Sequence, residues 1–155
     1  MIAPALFLAD EARPYCWLME ISGRKLGVHL RDGWCMLVHD QAHLINSESM
    51  CVHLLPVLEL DVQDFLEFLA GVELRFPDYA ASVRRFPAKS LLKHALGTSV
   101  GGYWPTKALA WLEDDPTMQQ SVKAELEALA RNKAMPQEAR QRGRRMMRSL
   151  CAISV

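Results

Sequence analysis

YCWLMEISGRKLGVHLRDGWCMLVH, residues 15–39, decides the fold class. Two apolar runs, Tyr15 to Ile21 and Leu26 to Leu30, flank a Ser22-Gly23 turn, and a third, Trp34 to His39, follows Asp32-Gly33. Asp-Gly between apolar runs signals a hairpin, because both central residues must reach positive φ. The stretch predicts a three-stranded antiparallel meander over about residues 14–39. Met50 to Leu55 adds a candidate fourth strand, ended by Pro56, which has no N–H for a ladder.

Downstream the period becomes helical. Asp61 is a good N-cap, and Val62, Phe65, Leu66, Leu69 and Val72 recur on one face. Asp64 and Glu67 fall on the opposite, wet face. Pro77 stops this helix, and Asp78 is placed to cap a short next one. Pro87 breaks again, and Ala88 to Leu96 reads as a third helix closed by Gly97. Beyond a Gly101-Gly102 hinge, Trp104-Pro105 opens a helix to about Glu113. Asp115-Pro116 is a cap with proline at the first helical position. The helix it opens is expected to bury Met118, Val122, Leu126 and Leu129. Pro136 opens the last helix, with Ala139, Gly143, Met146, Met147 and Leu150 on one stripe.

Strands first and helices afterwards predict an α+β fold. The expectation is an N-terminal antiparallel meander of three to four strands, then about six helices, the last two forming an antiparallel hairpin. A single domain over 1–155 is expected, mainly β in 1–56 and helical in 57–155.

Half of the 155 residues are apolar and 23% are charged, the composition of a globular chain. No apolar run approaches the roughly 20 residues needed to span a bilayer, so no membrane role is expected. The start, Met1 to Asp10, is apolar but lacks a basic leader and meets Asp10 and Glu11 at once, so it does not read as a secretion signal. Cys16, Cys35, Cys51 and Cys151 are widely spaced. They read as free thiols in a reducing cytoplasm.

Catalytic signatures are missing. His29, His39, His43 and His53 share a stretch with Cys35 and Cys51, the usual zinc-ligand types. However, His39 and His43 lack the glutamate of a His-Glu-x-x-His motif, and no metal site is expected. No Gly-x-Ser-x-Gly elbow occurs. Gly97, Gly101 and Gly102 lead to Tyr103-Trp104-Pro105, not to the Gly-Lys-Ser/Thr of a phosphate loop. No cofactor is implied. An enzyme would need a spatial His/Cys/Asp site that spacing rules do not reveal.

Charge is the remaining signal. The net charge is zero, yet residues 131–155 hold seven basic residues against one acid, and residues 1–130 hold eleven against seventeen: +6 and −6. Such a chain offers two docking faces of opposite sign. The acidic candidates are Asp61, Asp64, Glu67, Glu73, Asp78, Glu113 and Asp114, with Tyr103 and Trp104 as aromatic anchors. The basic candidates are Arg140, Arg144, Arg145 and Arg148 on the last helix, a row able to track phosphates.

In general look the chain resembles the small immunity or cognate-inhibitor proteins of bacterial toxin systems: a sheet at 14–39, helices from Asp61 onward and a set of exposed acids. That resemblance implies a non-catalytic, cytoplasmic binding protein. It would mask a basic toxin or effector through its acidic face, with electrostatic steering speeding the encounter. The alternative is nucleic-acid or anionic-ligand binding through the basic helix, and a homodimer is left open.

Overall fold

The computed structural model describes residues 6–98 and 101–153; Met1 to Ala5 of the apolar start lie outside the described residues. The chain divides into two compact units, Met1–Pro87 and Ala88–Val155. Its layout is α+β, with every described strand in the first unit.

In the N-terminal unit, β1 (Leu6–Ala12), β2 (Tyr15–Ile21), β3 (Arg24–His29), β4 (Gly33–Val38) and β5 (Gln41–Leu44) form one antiparallel sheet in chain order. The meander therefore extends past the three predicted strands at both edges. Ile21 pairs with Arg24 across Ser22 (φ 51°) and Gly23 (φ 77°), a two-residue turn of the kind that matches strand twist. The Asp32-Gly33 hairpin departs from expectation. His29 pairs with Gly33, so three residues form the loop, and of the Asp-Gly pair only Gly33 is left-handed, at φ 92°. The loop is held from inside: His29 Nδ1 accepts the backbone N–H groups of Arg31 (3.1 Å) and Asp32 (3.2 Å).

Between β4 and β5, Val38 pairs with Gln41 across His39 (φ 51°) and Asp40 (φ 62°). No glycine marks this turn. Histidine and aspartate are among the few other residues that tolerate the left-handed region, which is why β5 escapes a glycine-based reading.

Met50 to Leu55 is not a strand. It lies in a 3-10 segment, Glu48–Glu59. Cys51, Leu54, Leu55 and Leu58 are buried, and that spacing is helical, without the alternation of a strand. Then α1 (Val62–Arg75) starts at Asp61, whose carboxylate accepts the N–H groups of Gln63 (2.9 Å) and Asp64 (3.1 Å). Phe65, Leu69 and Val72 are buried, whereas Leu66, predicted on the same face, is half exposed. A 3-10 turn at Pro77–Tyr79 leads into α2 (Ala80–Val83). Asp78 lies inside that turn and caps nothing, because the chain tightens into 3-10 geometry directly behind Phe76.

Helix α2 packs on β3 and β4. Trp34 donates its indole N–H to the Val83 carbonyl (3.2 Å), and Phe86 meets both Trp34 and Phe65 edge-on. Gly27 permits the closest approach in the sheet. A Cβ there would lie 2.2 Å from the Cys16 carbonyl oxygen and 2.8 Å from Trp17 Cα.

The C-terminal unit contains α3 (Ala88–Leu96), α4 (Tyr103–Leu112), α5 (Pro116–Ser121), α6 (Lys123–Arg131) and α7 (Gln137–Ile153). Asp115 caps α5 by accepting the Met118 N–H (3.0 Å). The single helix predicted from Pro116 is two, broken at Val122. Ser121 bonds back to the Thr117 and Met118 carbonyls, a competition that bends helices. Gln119 turns inward and donates to the Leu112 carbonyl (2.6 Å), so it is buried while Met118 is only half-buried. Helix α7 folds back on α6 through Ala139, Gly143, Met146 and Leu150, all buried. Gly143 lets the two helices close: a Cβ there would lie 3.2 Å from Leu129 Cδ2.

Candidate anion-binding groove

The two units carry opposite net charge, though less sharply than a cut at residue 130. Residues 1–87 hold seven basic and twelve acidic residues, a net of −5; residues 88–155 hold eleven and six, a net of +5.

Most of the acidic candidates already serve the fold. Asp61 is the cap of α1. Glu73 pairs with Arg84, Asp78 with Arg13 (3.4 Å) and Glu113 with Arg142 (3.1 Å). Asp64, Glu67 and Asp114 are exposed, and their carboxylates have no partner among the described residues. Asp61, Asp64, Glu67, Glu73 and Asp78 belong to the N-terminal unit, whereas Glu113, Asp114, Tyr103 and Trp104 belong to the C-terminal one. Tyr103 is half exposed at the start of α4, edge-on to Trp104 (4.9 Å between centroids), with Lys107 Nζ 5.6 Å above its ring.

The basic candidates behave differently. Arg140, Arg144, Arg145 and Arg148 all line one groove between α6 and α7, with a volume of about 960 Å³. From α6 and the connection behind it, Lys123, Arg131 and Lys133 face them. Ala130, Met147 and Cys151 contribute apolar surface. Seven cations thus share the groove with one carboxylate, Glu127. None of the seven forms an ion pair among the described residues.

Two of the arginines are anchored without being neutralised. Arg144 donates to the Ala130 carbonyl (3.1 Å) at the end of α6, and Arg140 donates to the Met135 carbonyl (3.3 Å). Cations at a helix C-terminus also meet its negative dipole end. The anchored guanidiniums keep their full charge and lose side-chain freedom before any ligand arrives, which lowers the ordering cost of binding.

Spacing explains how the sequence builds this surface. Residues four apart lie on one helix face, about 6 Å apart along the axis at 1.5 Å per residue. Arg140, Arg144 and Arg148 make such a row on α7, and Lys123, Glu127 and Arg131 make one on α6. The α7 row is legible in the sequence. The α6 row is legible only once Val122, Leu126 and Leu129 are recognised as the buried stripe and the two helices as a hairpin.

The histidines and cysteines assemble no comparable site. Among the described residues no three His, Cys, Asp or Glu side chains are placed to hold a metal ion. His53 Nδ1 lies 3.1 Å from Arg24 Nη1. Cys16, Cys35 and Cys51 are buried, and Cys151 is exposed. Burial, with Glu11 and Asp10 nearby, pushes the Cys16 thiol up to about 11; burial, with Asp32 nearby, pushes Cys35 up to about 12. Such thiols stay protonated and inert near neutral pH. No helix among the described residues is long and apolar enough to cross a membrane.

No protein-family model matches this chain, and no curated protein or solved structure does either.

Proposed function

We propose that the chain is a non-catalytic binding protein whose C-terminal unit takes the phosphate backbone of nucleic acid in the α6/α7 groove. One observation carries the reading: seven cations converge on a single concave surface and none forms an ion pair among the described residues. Like charges held this close repel one another, and a polyanion relieves that repulsion while releasing its own counterions. Four free cysteines, three of them buried, suit a reducing cytoplasm, where we place the protein.

The test is binding of a fluorescent 20-base-pair duplex between 50 and 200 mM salt. Each phosphate neutralised adds about −0.9 to the slope of log K against log salt, so four contacts give roughly −3.6. Among the described residues, Lys133, Arg145 and Arg148 make no side-chain hydrogen bond or ion pair. The variant K133A/R145A/R148A is therefore expected to keep its helical circular dichroism and lose about three units of slope. A slope near zero for the wild-type chain overturns the reading.

A second reading keeps the inhibitor function that the sequence resemblance implies. Its support is on α1, which carries Asp64 and Glu67, unpaired among the described residues, together with the exposed Leu66 (50%) and Leu74 (86%). Apolar anchors rimmed by charge suit a protein partner with basic residues. A single basic protein that co-purifies at stoichiometric level, and is lost from the L74D/E67K variant, would establish it.

A further inference from the structure

Glu127 has no place in a groove built for phosphate alone. It sits on α6 between Lys123 and Arg131, each four residues away, yet forms no ion pair with either. A bare carboxylate facing phosphates repels them and only accepts hydrogen bonds. It is useful to binding only if the ligand presents O–H or N–H donors among its phosphates. A DNA backbone carries none, whereas an RNA backbone carries one on every ribose, the 2′-hydroxyl.

The groove also lacks what a single strand needs. Its lining contains no Phe, Tyr or Trp, the side chains on which unpaired bases stack. Helical RNA needs no stacking partner, because it is recognised by shape, phosphates and 2′-hydroxyls across its shallow minor groove. Resting on the nucleic-acid reading above, we infer that the ligand is double-stranded RNA and that Glu127 selects it by accepting a ribose 2′-hydroxyl hydrogen bond.

The experiment compares the full-length protein on an RNA duplex, the DNA duplex of the same sequence and one RNA strand alone, at a single salt concentration. A hydrogen bond to a charged acceptor is expected to favour the RNA duplex about tenfold over DNA. E127A should abolish that preference. E127Q, whose amide oxygen still accepts but carries no charge, should retain a preference of about threefold. Equal binding of RNA and DNA duplexes by the wild type overturns the inference and leaves the groove's phosphate-binding role standing. So does E127A tightening both duplexes by one common factor, since Glu127 would then act only by repulsion. Tighter binding of the single strand overturns the helical part. Binding to none of the three overturns the nucleic-acid reading and this inference with it.

Discussion

The N-terminal unit carries a net charge of −5 and the C-terminal unit +5, yet they use their charge in opposite ways. In the first, acids are consumed locally: Asp61 holds the start of α1, Glu73 holds Arg84, and Asp78 holds Arg13. In the second, the groove cations accumulate along two facing helices without an ion pair among the described residues. Formal charge alone therefore does not locate a binding surface. Charge that the fold gathers and leaves uncompensated does, because only that charge gains by meeting a ligand. Exposed ion pairs such as Arg13 with Asp78 add at most about 1 kcal/mol, so neutralising acids in this way stabilises little but removes them from recognition.

The largest expected contrast between the units is in thiol chemistry. At pH 8 one thiol of the four, Cys151, is expected to react with an aromatic disulfide reagent, because Cys16, Cys35 and Cys51 are buried and their thiols are raised. Cys151 lines the groove, so a bound duplex should protect it. Protection without a change in the other three assigns the ligand to the C-terminal unit, whereas an unprotected Cys151 breaks that assignment. The raised thiols also set a pH window. Below the ordinary thiol value of 9.0 their burial contributes stability, because the neutral form is present both folded and unfolded. As the pH climbs from 9 through about 11 and 12 the unfolded chain ionises first, and urea titrations should show the N-terminal unit losing stability there.

Next in size is Gly27→Ala. The added methyl meets the Cys16 carbonyl and Trp17, both backbone neighbours in a sheet that is buried around them. Overpacking of this kind costs about 3 kcal/mol. Amide exchange should show protection falling in β2 and β3, and unchanged protection there would mean that the sheet tolerates a shift that its geometry forbids.

How much of this was legible depends on the kind of signal. The three central strands, the α+β order, the Asp61 and Asp115 caps and the closing helix hairpin follow from periodicity and turn chemistry read over short windows. The errors lie where a tertiary or non-glycine device replaced the expected one. His39-Asp40 turns without glycine, His29 widens the Asp32-Gly33 loop, and Gln119 is drawn inward beside the break at Val122. The 3-10 segment at 48–59 carries the i, i+3, i+4, i+7 spacing in Cys51, Leu54, Leu55 and Leu58, but Met50 to Leu55 closed by Pro56 also reads as a short strand. The site divides the same way. Arg140, Arg144, Arg145 and Arg148 were visible as a run, but their facing wall and Glu127 needed the hairpin's register.

Smaller effects sharpen the comparison. Asp61→Ala removes the carboxylate that accepts two backbone N–H groups and should cost about 1 kcal/mol in the N-terminal unit, measured by urea unfolding. That loss would confirm that this acid is structural, whereas no loss would return it to the set available for partners. His39→Asn with Asp40→Gly places residues that accept left-handed backbone at φ 51° and 62°, and should stabilise the same unit by about 0.5–1 kcal/mol.

The smallest expected effect is the most informative about whether the units act separately in recognition. D64N/E67Q removes the two unpaired acids of α1 without touching the groove. At physiological salt the screening length is about 8 Å, so if the C-terminal unit alone meets the ligand, duplex binding should change less than twofold. At 10 mM salt the screening length grows to about 30 Å, and any repulsion between the acidic unit and the duplex would then surface as tighter binding by the variant. A change that persists at physiological salt would mean that α1 lies within reach of the ligand. The acidic unit would then be part of the recognition surface, and its free carboxylates would act there as proposed for Glu127, by excluding phosphate or by accepting hydrogen bonds.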